Sequence, residues 1–300
     1  MGGGTWTKTA FTTYSTSIGR SVDMDGLVTT AYNSAQDMFK SRRISNILNP
    51  KNVVRECCDT DEHPNTIPVI LALDVTGSMG NAAMEVAKKL NIVMTNLYNK
   101  VRDVEFLIMG IGDLAYDSAP IQASQFESDI RIAEQLDKIY FEGGGGGNGY
   151  ESYTAAWYFG VNHTKLDCWK RNKKGIIITM GDEPLNPYLP KSALSEVTGD
   201  SLQGDIETKD LFKDASEKFD IYHIAVDSPE DSYHYYEKRI KESFGKLLGQ
   251  RFMVSTIGKL GDTICDCIAN SVDNGNSSSF VLNEDNKTTS VENNEGGISW

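Results

Sequence analysis

Residues Ile67-Pro68-Val69-Ile70-Leu71-Ala72-Leu73-Asp74-Val75-Thr76-Gly77-Ser78-Met79-Gly80 decide how the rest of the chain is read. A mostly apolar run leads straight into Asp74, Thr76 and Ser78, spaced two apart, and then into glycine and a helical pattern. An apolar run of that length without alternation marks a strand buried on both faces, as in parallel sheets. Open α/β sheets bind their ligands at the carboxyl ends of such strands. One carboxylate and two hydroxyls offer hard oxygen donors only, which suits Mg²⁺ or Mn²⁺ rather than zinc. A competing reading makes Thr76 or Ser78 the N-cap of the helix that follows.

Working outward, the alternation of apolar runs and helical patterns continues. It predicts strands over 67–73, 104–111, 175–180 and 220–226, with a weaker one over 251–257. Helices are predicted over 81–98, 129–139, 151–164, 208–219 and 233–248, with a short last one over 262–270. Such alternation implies an α/β fold with a mostly parallel, doubly wound sheet flanked by crossover helices. Residues 1–65, rich in Ser, Thr and Asp, read as a partly irregular N-terminal extension with short helices over 26–39 and 41–48. Residues 66–270 hold the α/β domain, and residues 271–300, dense in Asn, Ser, Glu and Gly, read as a disordered tail.

Each of the four clear strands ends in an acid: Asp74, Asp113, Asp182 and Asp227. Four strands delivering carboxylates to one sheet edge mark that edge as the place for chemistry. Asp is also a favoured turn and capping residue where a strand meets a helix, and that accounts for Asp227.

Composition narrows the function classes. The chain has 300 residues, 39% of them hydrophobic, which fits one large domain with extensions. A net charge of −13 argues against nucleic-acid binding, which needs clustered Lys and Arg, and favours cationic partners. No apolar stretch is long enough for a spanning helix, and the first residues lack the order of a signal peptide or the spacing of a myristoylation site, so a cytoplasmic location away from membranes is expected. Cys57, Cys58, Cys168, Cys265 and Cys267 match no zinc spacing and are expected as reduced thiols. The glycine run before Tyr150 satisfies GxGxxG almost automatically and lies mid-domain, so its expected role is to let the backbone turn close to the site. Asp74 lacks the second Asp of a phosphatase Asp-x-Asp motif, Ser78 lacks a nucleophile elbow, and the four histidines form no metalloprotease motif.

The Asp74-x-Thr76-x-Ser78 pattern resembles the metal-ion-dependent adhesion site of von Willebrand factor A (VWA) domains, whose first motif is Asp-x-Ser-x-Ser; Thr76 keeps the hydroxyl. Further matches are Glu62-His63-Pro64-Asn65, Gly110-Ile111-Gly112-Asp113, Ala119-Pro120-Ile121-Gln122, Glu151-Ser152-Tyr153 and Gly181-Asp182-Glu183. Together they resemble an uncharacterised bacterial and phage group of VWA proteins. The resemblance implies a six-stranded sheet, a Mg²⁺ (or Mn²⁺) site on its upper edge, and a non-enzymatic role binding a protein partner, such as an AAA+ ATPase served by an intracellular adaptor. It also implies that Asp182 and a Thr from the glycine-bearing loop close the metal site. Counting back from Ala156-Trp157 puts Glu151 in the Thr slot; Ser152 or Thr154 takes it if the register slips. With Glu151 as ligand the site would be net negative, closed and structural, because an incoming carboxylate meets like charge. With Ser152 or Thr154 it stays open. The alternatives are a metal-dependent hydrolase using Asp113 or Glu127 as base, or a virion-associated structural protein.

Overall fold

The computed structural model describes residues 4–142, 148–228 and 233–275. The glycine run over 143–147 and most of the expected tail, 276–300, lie outside the described residues.

Six strands form the central sheet: β1 (Ile67–Asp74), β2 (Val104–Ile111), β3 (Ile121–Ala123), β4 (Gly175–Gly181), β5 (Phe219–Asp227) and β6 (Phe252–Thr256). Their spatial order is β3-β2-β1-β4-β5-β6. All neighbours run parallel except β3, which lies antiparallel against β2. β1 is central, pairing Val69 with Phe106 on one side and with Ile176 on the other. All eight of its residues are buried, which is why its sequence shows no polar alternation.

The two faces of β1 feed separate cores. Val69, Leu71 and Leu73 pack with the helices Gly80–Tyr98 and Leu260–Gly275; Ile70 and Ala72 face Thr154–Asn162, Thr208–Lys218 and Tyr233–Leu248. The sheet is therefore doubly wound, with helices on both sides.

All five predicted strands match within one residue at each end, the weakest of them as Phe252–Thr256. The sixth, β3, is too short to show a period. The helix predicted over 129–139 shrinks to Arg131–Leu136, and that over 151–164 to Thr154–Asn162, because Glu151 pairs in a β-bridge with Leu185. The last helix runs Leu260–Gly275, so 271–275, assigned to the tail from sequence, are helical. Ser271 there is buried and its hydroxyl donates to Asp220 Oδ2 at 2.5 Å.

The extension differs most. In place of helices over 26–39 and 41–48 it forms a helix at Lys8–Ser17, capped by the Thr7 hydroxyl accepting from Ala10 N, and single helical turns at Ala35–Met38 and Asn46–Leu48. The Asp23 carboxylate accepts from Asp25 N and Leu27 N, and Val22 bridges Val28, so this segment closes into a turn instead of starting a helix. Trp6, Phe11, Phe39 and Leu48 all enter the core under β1. Buried Arg20 clamps the extension to Asp137 through hydrogen bonds of 2.9 and 2.5 Å. Residues Arg55–Cys57 pair in parallel with Thr164–Leu166 on the opposite side of the sheet. No described helix is long and apolar enough to cross a membrane.

Candidate metal centre

Asp74 ends β1, and Asp182 directly follows β4, its hydrogen-bonded neighbour. In a 3-2-1-4-5-6 sheet the winding reverses between these two strands. The chain leaves β1 into the helix Gly80–Tyr98 on one face and leaves β4 towards the helices Lys191–Thr198 and Thr208–Lys218 on the other, the arrangement at which open α/β sheets form a ligand crevice. The strand-end acids therefore meet where the topology leaves room for a ligand.

Both hydroxyls of the first motif point at these acids. Thr76 Oγ1 donates to Asp74 Oδ1 at 2.6 Å, supported by Thr76 N at 2.9 Å, and Ser78 Oγ donates to Asp182 Oδ1 at 3.1 Å. The capping reading does not hold. Thr76 occupies an N-cap position before the turn Gly77–Met79, yet its side chain makes no capping bond, and Met79 occupies the cap of the main helix.

Electrostatics explain what the pair lacks. Asp74 is 1% exposed and Asp182 fully buried. Burial first, and the neighbouring Asp182 charge second, raise the Asp74 pKa, while only the uncharged donors Thr76 and Tyr153 favour its ionised form. Two buried carboxylates within range of each other's charge repel, and a divalent cation between them removes that cost. Asp74, Asp182, Thr76 and Ser78 thus fit a hard cation by donor type and by charge.

The third loop sorts its candidates. Thr154 is held by Asn186: its N donates to Asn186 Oδ1 at 3.1 Å, and its hydroxyl accepts from Asn186 Nδ2 at 2.6 Å. Ser152 Oγ accepts from Leu114 N at 3.0 Å. Glu151 is 1% exposed, and its Oε2 has no hydrogen-bond partner. Burial, then the Asp74 charge, push its carboxyl up to about 11. Among the described residues no three His, Cys, Asp or Glu side chains gather closely enough to hold a metal, so Asp74, Asp182 and Glu151 do not form a three-carboxylate cage in this arrangement.

One residue at the site was missed from sequence. Tyr153 is fully buried, and its hydroxyl donates to Asp74 Oδ2 at 2.8 Å. A Cβ on Gly181 would collide with that hydroxyl, so the glycine before Asp182 makes room for the tyrosine. The ring packs edge-on against His223 at 5.1 Å and tilted against Phe244 at 5.8 Å. In sequence, an aromatic between two polar residues reads as ordinary core.

The remaining acids separate. Asp113 uses Oδ1 to accept from Ala115 N at 2.8 Å, as a turn residue does, and its buried Oδ2 has no partner. Asp227 pairs with His234 at 3.0 Å. Glu127 pairs with Phe106 in mid-strand and with Arg131 at 3.0 Å, which puts it roughly 16 Å below the carboxyl edge of β2. It cannot serve as a base there. Beside the metal loop, Asn33, Ser34 and Gln36 of the extension join Thr76, Asn81 and Phe141 around a recess of about 180 Å³.

No family model and no curated protein matches the chain. Among solved structures it is similar to the pilus adhesin SpaC from Lactobacillus rhamnosus GG in its open conformation (TM-score 0.47, 13% identity, covering 74% of this chain and 31% of that one). It is also similar to proximal thread matrix protein 1 from the mussel byssus (TM-score 0.45, 10% identity, 72% and 49%). A third is the conserved hypothetical protein BatB from Bacteroides thetaiotaomicron (TM-score 0.39, 14% identity, 69% and 99%). The chain spans about a third of SpaC and about half of the thread protein. At these scores the likeness adds nothing to the reading of the site.

Proposed function

We propose that the chain is a Mg²⁺- or Mn²⁺-dependent protein-interaction module of the VWA type, which binds its partner rather than transforming it. One observation carries the reading: two buried aspartates from the paired strands β1 and β4 each accept a hydroxyl from the same loop, at the point where the sheet reverses its winding. Asp74, Thr76, Ser78 and Asp182 would hold the cation, which would supply a Lewis-acid position for a carboxylate of the partner. With only two aspartates in that set, the bound cation leaves no net negative charge to repel an incoming acid. The partner class is protein, with an AAA+ ATPase in the cytoplasm as the candidate that the sequence resemblance suggests.

The test is linkage. A cation that binds only the folded protein stabilises it by RT ln(1 + [L]/Kd), about 2.7 kcal/mol at a hundredfold excess over Kd. Thermal melts in EDTA and in Mg²⁺ should separate for the wild type and coincide for Asp74→Ala. Coincident wild-type melts would overturn the reading.

A further inference from the structure

We propose that the carboxyl edge of the sheet, beside the metal centre, is a tyrosine-lined docking face for a basic protein segment that presents arginine side chains. The proposal rests on the interaction reading for the idea that this edge meets a partner, but it does not require the metal.

The distribution of tyrosines is the first observation. Of 13 in the chain, three expose more than a third of their surface: Tyr116 at 62%, Tyr188 at 37% and Tyr235 at 84%. Tyr116 follows β2, Tyr188 follows β4, and Tyr235 lies in the first turn of the helix after β5, so all three stand at the carboxyl edge. Partly buried Tyr150 and Tyr236 connect them. Tyr150 lies close enough to Tyr188, Asp113 and Tyr116 for their charges to bear on its ionisation. The neighbouring Gly149, at φ +68°, packs so tightly that a Cβ there would come within 2.9 Å of the Tyr236 hydroxyl. Tyr236 in turn meets Tyr235 edge-on at 4.6 Å. Aromatic surface left in water at one continuous edge is the composition of binding hot spots, where tyrosine is enriched.

Charge selects the occupant. Half-buried Asp117, next to Tyr116 in the chain, and half-buried Glu183, whose charge bears on Tyr236, lie beside these rings in a chain of net charge −13, whereas Asp113 is buried beneath them. The chain already places a guanidinium here: Arg239 Cζ sits 5.2 Å over the Tyr236 ring, and its charge favours the ionised form of Glu183. A planar guanidinium stacks on a tyrosine face while its edge donates to a carboxylate; an ammonium group does the second without stacking as well. Around the cation position the edge is therefore suited to arginine more than to lysine, so the partner presents arginines beside the carboxylate that the cation would take.

Fluorescence anisotropy tests this with labelled peptides alternating glycine with arginine, lysine or glutamate, at physiological salt, in EDTA and in Mg²⁺. The arginine peptide is expected to bind about fivefold tighter than the lysine peptide. Tyr116→Ser, Tyr188→Ser and Tyr235→Ser combined should erase that preference without moving the melting temperature, whereas the three phenylalanine replacements should keep it. Equal arginine and lysine affinity, indifference to the serine replacements, or, in EDTA where no cation can take its carboxylates, stronger binding of the glutamate peptide would each overturn the proposal. The arginine preference is read in EDTA as well, so a failure of the metal reading leaves it intact, and its own failure leaves the metal melts untouched.

Discussion

Replacing Tyr153 with phenylalanine removes one oxygen from the interior and leaves the ring against His223 and Phe244 in place. The lost hydroxyl donates to Asp74 Oδ2 at 2.8 Å, where both residues are at most 1% exposed, so no water replaces it. Above about pH 8, where Asp74 is ionised, a buried hydrogen bond to its carboxylate contributes about 1.5–3 kcal/mol, and leaving the acceptor unpaired loses that amount. For a domain of this size about 2 kcal/mol corresponds to a fall in Tm of roughly 4–8 °C in EDTA. Tyr158→Phe is the control. Its hydroxyl donates to Asp200, a half-buried acid that water can reach, and the expected loss is below about 1 kcal/mol. Tyr153 also holds the second oxygen of a proposed metal ligand, so Mg²⁺ affinity by calorimetry should fall roughly 10- to 100-fold. A Tyr153→Phe protein that melts with the wild type in EDTA and binds Mg²⁺ unchanged would refute the reasoning, since it would mean that Asp74 needs no such support.

Three further outcomes are expected. His223 is fully buried, stacked on Phe244, and burial lowers its pKa to about 3 from 6.5, so its contribution to stability is complete above about pH 6.5 and is lost as pH falls towards 3, at about 1.4 kcal/mol per pH unit; denaturant melts of His223→Leu against pH should lack that slope. Arg20→Ala leaves the mostly buried Asp137 carboxylate with the Tyr14 hydroxyl but without its cation and should cost about 3 kcal/mol, with faster amide exchange across Lys8–Ser17. Glu151→Thr should leave Mg²⁺ affinity unchanged by calorimetry if the site is open, and weaken it if Glu151 is a ligand; Ser152→Ala and Thr154→Ala, whose hydroxyls bond Leu114 N and Asn186, report the other registers.

Much of the fold was legible because burial on both faces writes itself into sequence as an unbroken apolar run. β1, β2, β4 and β5 were readable for that reason, and each announced its end with an acid. β3 was not, since three residues carry no period. The extension misled because Thr, Ser and Asp bond their own backbone: Asp23 closes a turn and Thr7 caps a helix in a stretch whose composition suggested neither place. The loop before Thr154 was legible as a site but not in register, because Glu151, Ser152 and Thr154 are equally polar and only their partners tell them apart.

By itself the sequence determined the α/β class, the central strand and the oxygen-rich loop at its end, all of which follow from local hydrophobic pattern and residue chemistry. Only the tertiary structure decided that the Asp74 carboxylate meets a tyrosine 79 residues away and that Ser78 reaches an aspartate 104 residues away. Those bonds depend on strand order and register, which place β4 beside β1 and bring the loop before Thr154 over both. A linear pattern carries the period of each strand but not the identity of its neighbour.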